Sequence, residues 1–250
     1  ATTARPSRAA VLMEAAALQE TRAGNARAAL ASVGRALPLS VDDDAALQSV
    51  ERELHRLAGE SSDWQPAVLA YQTAVRAASE DHVRASRMSF QLGSVLESRM
   101  NDQTAALDAF ERVATESAGD LNAALAVVRV GGRVGRWDSV ARVFVASAKA
   151  RNSVAALLVT GVEAAARASA DPASSWNALT ALLEEAYADA ALQAPLARAL
   201  EAQLGVWHRD RRDDRDAAVA ALLRAVAHDA SEPETLRMLA DLQRARPDRT

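Results

Sequence analysis

The feature that most constrains this chain is a triplet of residues that recurs at nearly constant spacing. In each copy a small or aliphatic residue is followed by a larger or apolar residue four positions later and by a third residue three positions after that. The six copies are Ala29, Val33, Ala36; Ala67, Tyr71, Ala74; Ala106, Phe110, Val113; Val140, Phe144, Ser147; Leu179, Leu183, Ala186; and Ala218, Leu222, Ala225. Their first members lie 34 to 39 residues apart. Because positions i, i+4 and i+7 share one face of an α-helix, the pattern predicts six helices, each with one buried stripe.

A turn-forming residue precedes the first position of every triplet by five residues. These residues are Gly24, Ser62, Asn101, Gly135, Ser174 and Asp213. Tight turns favour glycine, asparagine, aspartate and serine, so each triplet helix is predicted to follow another helix through a short turn. We call the leading helix A and the triplet helix B. One A–B hairpin cannot bury its own stripe, and the hairpins are therefore predicted to stack on one another.

The composition supports helices along the whole chain. The sequence is rich in alanine, leucine and arginine, which are strong helix formers, and only 7 prolines and 10 glycines interrupt them. The β-branched runs that mark strands are short. We therefore predict an all-α fold in which residues 1–250 form a single domain. The opening residues and the segment 245–250, which follows an unpaired last helix, lead us to expect a fragment of a longer array.

Segment boundaries fit the same scheme. Three aspartates at 42–44 are interpreted as the acidic start of a helix rather than a calcium loop, because the glycine and distal glutamate of an EF-hand loop are missing. Residues 169–175 are predicted to lengthen the A–B loop of unit five. A Ser-Glu-Pro-Glu capping box at 231–234 is predicted to open a final helix over 234–246.

The charge and cysteine content exclude several classes of function. A net charge of −4 argues against general nucleic-acid binding, which needs a basic surface. The chain has no cysteine, so disulfides, thiolate metal sites and cysteine nucleophiles are excluded. The longest uncharged apolar stretch, residues 154–162, is too short to cross a bilayer, so we expect no membrane insertion. No signal peptide is visible; the compartment stays open, with the cytoplasm slightly favoured.

Three segments carry a resemblance to the tetratricopeptide repeat. They are FQLGSVLESRMNDQTAALDAFERV at 90–113, GRWDSVARVFVAS at 135–147, and QLGVWHRD at 203–210, which repeats the Leu-Gly pair of the first. The resemblance runs from about residue 9 to the end and is divergent, since most spacings exceed 34 residues and the proline that closes each unit is absent. It implies a right-handed α-solenoid of about six helix-turn-helix hairpins plus a final helix. The chain also resembles arrays in large proteins of GC-rich bacteria. A related helical array, such as a HEAT-like one, remains an alternative.

The resemblance also implies a binding surface. In tetratricopeptide arrays the A helices line a concave groove that binds peptides or protein segments. The groove positions carried over to units two, three and four are Arg52, Arg56, Arg87, Phe90, Ser94, Glu97, Asn122, Leu125, Arg129 and Arg133. In units five and six they are the apolar Leu158, Val162, Ala202 and Val206. The expected ligand is acidic at one end and apolar at the other. The alternative is that these arginines only keep the helices soluble.

Other conspicuous segments have a simpler structural interpretation. The glycine-rich stretch 130–135 is predicted to be a turn, because it lacks the Lys-Ser/Thr of a phosphate loop. The charged stretch 207–216 is predicted to be a solvated loop between helices, with a partner contact as the alternative. Trp64, Trp137 and Trp176, each three residues before a triplet, are assigned to packing between helices rather than to a ligand cage.

The sequence therefore predicts a non-enzymatic scaffold that binds a protein or peptide segment and needs no cofactor. Four histidines stand far apart, and neither a His-Glu-x-x-His motif nor a Gly-x-Ser-x-Gly elbow occurs. The oligomeric state is left open. Two alternatives remain: a ligand-sensing regulatory module of a larger signalling protein or enzyme, and a helical array attached to a catalytic domain outside this segment.

Overall fold

A computed structural model describes residues 7–189, 191–230 and 232–244, and within them the chain is entirely helical. The helices are α1 (Arg8–Thr21), α2 (Ala26–Ala36), α3 (Asp44–Ser61), α4 (Gln65–Ala77), α5 (His82–Val95), α6 (Gln103–Glu116), α7 (Leu121–Val134), α8 (Trp137–Arg151), α9 (Ala156–Ala168), α10 (Pro172–Asp189), α11 (Ala194–Arg211), α12 (Arg215–His228) and α13 (Pro233–Arg244). A 3₁₀ turn at Leu37–Leu39 and a π-helical turn at Leu96–Met100 extend α2 and α5. The predicted all-α fold is confirmed.

The helices follow the predicted A–B order. The even-numbered helices α2 to α12 carry the six triplets, and the odd-numbered helices α1 to α11 precede them. Helix α13 is the predicted final helix. Two details of that prediction, Ser231 of the capping box and the helix end at residue 246, lie outside the described residues, as does the terminal segment 245–250.

The triplet positions are the buried stripe of the B helices. Seventeen of the eighteen residues are buried, and only Ala186 is half-buried. The third position of the fourth triplet is Ser147, which is as deeply buried as its apolar counterparts. The face predicted from the spacing is therefore confirmed.

Five of the six predicted turn residues have the left-handed backbone that ends a helix sharply. Gly24, Ser62, Asn101, Gly135 and Asp213 all have a positive φ between 52° and 75°. The prediction is wrong for the sixth, Ser174, which lies inside α10.

The reason for the error at Ser174 is an earlier helix start. The Asp171 carboxylate accepts a hydrogen bond from the Ser174 backbone N–H at 3.1 Å, and Pro172 occupies the first helical position, where its fixed φ is favourable. Only residues 169–171 separate α9 from α10. The predicted long loop over 169–175 is therefore wrong.

Aspartate caps begin several other helices. Asp43 accepts hydrogen bonds from the backbone N–H groups of Ala45 and Ala46 at 3.1 and 3.0 Å. Asp81, Asp120 and Asp214 cap α5, α7 and α12 in the same way. The capping interpretation of the acidic stretch 42–44 is thus confirmed at Asp43, and these caps satisfy N–H groups that a helix leaves unpaired.

A glycine of helix A receives the second triplet residue of helix B in two hairpins. A Cβ atom added to Gly93 would lie 2.7 Å from the Phe110 ring, and one added to Gly205 would lie 2.8 Å from Cγ of Leu222. Both glycines precede the first position of their triplet by 13 residues, and both are the glycine of a Leu-Gly pair. The residues at the same place in the other hairpins, Ala16, Leu54, Val127 and Ala166, are also buried. The missing side chain thus lets a large residue of helix B seat against the backbone of helix A.

The described residues fall into two compact units divided after Glu116. In the first, α1 packs on α2, α2 on α4, and α5 on both α4 and α6. In the second, α7 packs on α8, α11 on α12, and α12 on α13; the A helices α7 and α9 also pack on each other, as do the B helices α8 and α10. Whether all hairpins belong to one solenoid stays a prediction.

Three tryptophans belong to the core of the second unit. The Trp207 ring is fully buried, with its centroid 5.5 Å from that of Phe144 and 5.6 Å from that of Trp176. Trp137 and Trp176 are buried as well, so their assignment to packing is confirmed. Residues 207–211 belong to α11 and residues 215–216 to α12, so the predicted solvated loop over 207–216 is wrong except at 212–214.

Phe110→Ala tests the burial of the second triplet position. Phe110 is fully buried, and its ring also meets Phe90 edge to face at a centroid distance of 5.2 Å. We expect the substitution to lower the free energy of unfolding by about 3–5 kcal/mol, measured by urea denaturation. Asp108→Ala, at an exposed position of the same helix, is the control and should change it by less than about 0.5 kcal/mol. A loss below about 1 kcal/mol for Phe110→Ala would contradict this packing.

Gly93→Ala tests the close approach from the other side. The added methyl group would overlap the Phe110 ring, and we expect overpacking to cost about 1–3 kcal/mol of unfolding free energy. Gly119→Ala is the matched control, because a Cβ there meets no atom within 4 Å. Equal stability of the two variants would show that the ring does not need the glycine.

Candidate functional site

A groove of about 340 Å³ runs between α7 and α9 in the second unit. Its lining residues are Leu125, Val128, Arg129, Gly132, Arg133, Gly161, Ala164, Ala165 and Ala168. We call it the α7–α9 groove. Apart from the two arginines the lining is apolar, and most of its members are glycine or alanine, so the groove is bounded mainly by small side chains and backbone.

Two glycines allow the helices beside the groove to come close. A Cβ on Gly132 would lie 2.7 Å from Cβ of Ala165, and one on Gly161 would lie 3.0 Å from a methyl group of Leu125. Residues 130–135 were predicted to be a turn, and this is confirmed for Gly135, which has a φ of +75°. Gly132, by contrast, lies within α7, where it makes room for α9.

Arg129 and Arg133 lie one helical turn apart on α7 and border the groove. Both side chains are exposed. Partial burial, followed by the positive charge of Arg133, lowers the pKa of Arg129, although a guanidinium remains charged at neutral pH. Positive charge is therefore concentrated at the edge of an apolar surface.

Three of the ten predicted binding residues thus share one surface. Leu125, Arg129 and Arg133 all line the α7–α9 groove, whereas Asn122 is exposed near the start of α7 and is not among its lining residues. The other six residues belong to the first unit.

The carboxylates around Arg56 and Arg87 already bind their guanidinium groups. Arg56 forms ion pairs with Glu20 at 2.6 Å, with Glu60 at 2.8 Å and with Glu53, and these hydrogen bonds raise its pKa. Arg87 donates to Glu51 at 3.1 Å and to Asp44 at 3.4 Å. An acidic ligand would have to compete with these carboxylates. Arg52 is exposed on α3.

Phe90, Ser94 and Glu97 lie along α5 and its π-helical end, where each is half-buried. The Phe90 ring packs on Phe110, and the Ser94 hydroxyl donates to the Phe90 carbonyl at 3.0 Å. These contacts of Phe90 and Ser94 thus lie within the hairpin of α5 and α6. A binding role for these three residues stays a prediction.

The apolar groove positions predicted on α9 are wrong. Leu158 and Val162 are 1% and 0% exposed and therefore face the core. The groove is instead lined by Gly161, Ala164, Ala165 and Ala168, which follow one another at helical spacing on a different face of α9. This stripe of small residues is visible in the sequence and could have indicated the surface. On α11, Ala202 and Val206 are half-buried.

Helix α9 is tied to α11 by a glutamate with two partners. The Glu163 carboxylate accepts a hydrogen bond from the Trp207 indole N–H at 3.1 Å and forms an ion pair with Arg211 at 2.6 Å. Since α9 is one wall of the α7–α9 groove, these contacts connect that wall to α11.

His208 is fully buried next to this contact. Its Nδ1 accepts a hydrogen bond from Arg212 at 2.8 Å, because a guanidinium can only donate, and its Nε2–H faces Glu184 at 3.3 Å. The ring is therefore neutral in this geometry. Burial lowers the pKa of His208 and outweighs the opposing effect of the Glu184 charge, while Arg212 lowers it further and Asp214 raises it.

In the ranges 7–189, 191–230 and 232–244, no group of three histidine, aspartate or glutamate side chains is placed to hold a metal ion. Over the same part of the chain, no helix is both long and apolar enough to cross a bilayer.

Comparison with known proteins gives no assignment. No protein-family model matches the sequence, and no curated protein matches it. The tetratricopeptide-like interpretation therefore rests on the resemblance of the segments 90–113, 135–147 and 203–210 and stays a prediction.

The buried neutral His208 predicts a dependence of stability on pH. The pKa of His208 is lower in the folded state than the unfolded value of about 6.5. As the pH falls, the unfolded state therefore binds more protons than the folded state does. The contribution of His208 to stability should be complete above that value and be lost as the pH falls through it toward the folded pKa.

The measurement is urea unfolding of the wild type and of His208→Gln at about pH 8 and about pH 5, on either side of the unfolded pKa. Glutamine keeps a donor and an acceptor but does not titrate in this range. The difference in unfolding free energy, wild type minus variant, should decrease at the lower pH. A difference that stays constant or increases would contradict a buried, neutral His208.

Proposed function

We propose that this chain is a non-enzymatic scaffold that binds a peptide or protein segment in the α7–α9 groove. The observation that carries the proposal is the combination of two adjacent arginines with an apolar groove bounded by small residues. Such a surface can bind an apolar side chain and carboxylates of the same segment.

The apolar part of the groove supplies room for an anchoring side chain. Its volume of about 340 Å³ lies within the range of ligand-binding clefts, and its glycine and alanine lining leaves the space unfilled. Burying a leucine-sized side chain there removes apolar surface from water and is worth about 1.5–3 kcal/mol. This contact is the expected source of most of the affinity.

The arginines supply the preference for acidic segments. Guanidinium groups bind carboxylates through paired, charge-assisted hydrogen bonds. Arg129 lies beside apolar surface, where an approaching carboxylate is screened less than in open water. The expected ligand therefore has a large apolar residue followed, within one or two residues, by aspartate or glutamate.

The proposal concentrates on the second unit because Leu125, Arg129 and Arg133 line one groove there. In the first unit, Arg56 and Arg87 are surrounded by five carboxylates, and a new anion gains little from charges that are already paired. That arginines of both units share one acidic ligand stays a prediction, and the site proposed here is the one on α7 and α9.

The proposal includes the finer architecture predicted from the sequence. We take the hairpins to be tetratricopeptide-like units of a right-handed solenoid, with the A helices facing the ligand. The regular spacing of the buried triplets supports this, as do the glycine contacts in two hairpins and the side-by-side packing of α7 with α9 and of α8 with α10.

A panel of labelled peptides tests the proposal. Each peptide carries one leucine followed by two to four acidic residues, and the comparison peptides replace the leucine by serine or the acidic residues by lysine. Fluorescence anisotropy should give saturable binding for the first set only, and added salt should weaken it because part of the attraction is screened.

Variants of the chain separate the charge from the apolar groove. Arg129→Glu with Arg133→Glu should weaken binding of the best peptide at least about tenfold, the equivalent of about 1.4 kcal/mol. Ala164→Leu should weaken it by filling the groove from an exposed position. Arg142→Glu with Lys149→Glu, both exposed on α8, makes the same change in charge elsewhere and should leave affinity unchanged.

Circular dichroism should be the same for all four proteins. Equal affinity for wild type and the Arg129/Arg133 variant would remove these arginines from the site. Unchanged binding by Ala164→Leu would remove the groove.

A further inference from the structure

A second cavity, in the first unit, has a different chemical character. It measures about 420 Å³ and lies on α5 between the B helices α4 and α6. Leu92 and Leu96 form apolar parts of its lining, and Ser89 lies among them. We call it the Ser89 pocket. Its volume falls within the range of sites that hold small molecules.

Ser89 has an unmet hydrogen-bonding requirement. The residue is 1% exposed, and no other residue in the described part of the chain forms a hydrogen bond with its hydroxyl. A serine in a helix usually donates to the carbonyl one turn earlier, as Ser94 does to Phe90. A buried hydroxyl without a partner is unfavourable, and a ligand oxygen in the adjoining cavity would satisfy it.

Two arginines from facing helices stand at the rim. Arg76 in the last turn of α4 and Arg112 on α6 both line the cavity and are exposed. Within the described part of the chain, neither arginine forms an ion pair. The Arg76 guanidinium donates a hydrogen bond to the hydroxyl of Thr73 at 3.1 Å. Asp108 is also on the rim and offsets part of the charge. The two arginines, the two leucines and Ser89 all belong to the lining of one cavity.

We infer that the Ser89 pocket binds a small organic anion with an apolar body and a hydrogen-bonding oxygen, such as a medium-chain hydroxycarboxylate. The carboxylate lies at the Arg76 and Arg112 rim, the carbon chain on Leu92 and Leu96, and the hydroxyl against Ser89. This activity is separate from peptide binding by α7 and α9, and it gives the chain the chemistry of a ligand-sensing module.

The first test is an amide chemical-shift titration of the 250-residue chain with sodium octanoate, 1-octanol and inorganic phosphate. Octanoate should give saturable shifts centred on residues 89–96 and 105–112. Octanol, which has no charge, and phosphate, which has no apolar body, should each bind at least about tenfold more weakly. Comparable binding of octanol or of phosphate, or no saturable shift with octanoate, would overturn the assignment.

Variants then test the rim and the floor of the pocket. Arg76→Gln with Arg112→Gln should weaken octanoate about tenfold, while Arg22→Gln with Arg27→Gln, exposed elsewhere in the first unit, should leave it unchanged. Ala105→Leu, which fills the cavity from a half-buried position, should abolish binding. Equal effects of the two arginine pairs would attribute binding to general charge and overturn the site.

The role of Ser89 has its own measurement. 3-Hydroxyoctanoate should bind more tightly than octanoate to the wild type and no more tightly than octanoate to Ser89→Ala. The same preference in both proteins would remove the hydroxyl from the site. Peptide binding in the α7–α9 groove should be unaffected in these variants, so failure here is distinguishable from failure of the proposed scaffold function.

Discussion

The hairpins depend on the burial of the triplet residues of helix B, and in two hairpins a large side chain of helix B seats against a glycine of helix A. Phe110 on Gly93 and Leu222 on Gly205 are the two direct cases. Burying a large apolar residue is favourable only if the neighbouring backbone can approach, and at these places any side chain on helix A would keep it away. The contact therefore sets the spacing within these two hairpins, and the first residue of the triplet, which is alanine in four of the six copies, lets further helices pack on the same face.

The same device shapes the candidate binding surface. Helices α7 and α9 come close where Gly132 meets Ala165 and where Gly161 meets Leu125. These contacts leave the groove between the two helices unfilled. Where large residues would have closed the surface, the small ones leave a groove, and the arginines of α7 border it. Close packing and an open apolar surface thus have one cause, the stripe of small residues on α9.

Much of the fold follows from local chemistry and was predictable for that reason. The i, i+4, i+7 spacing determines which face of a helix is apolar, and the turn residues at Gly24, Asn101 and Gly135 adopt the backbone that their types favour. The predictions of secondary structure that were wrong also have local causes. The charged residues after Trp207 suggested a loop, but at helical spacing they occupy the outer face of α11 while Trp207 and His208 occupy the inner one.

The candidate site was less predictable because it depends on neighbours that are distant in sequence. The sequence of one helix does not show that Arg56 is bound by Glu20, which is 36 residues away. It also does not show that Leu158 faces the core rather than the groove. Leu125, Arg129 and Arg133 were identified because the tetratricopeptide resemblance implies groove positions on helix A, and all three line the groove. The part of the groove supplied by α9 required knowledge of which of its faces meets α7.

The most direct measurement of the central claim is a double-mutant cycle on the second of the two glycine contacts. Gly205→Ala, Leu222→Ala and the double variant are compared with the wild type by urea unfolding. If Leu222 occupies the space that Gly205 leaves, the added methyl group should be costly in the wild type and nearly neutral once Leu222 is shortened. The two substitutions should then be non-additive by about 1–3 kcal/mol. Additive effects within about 0.5 kcal/mol would contradict the claim that this contact holds the hairpin together.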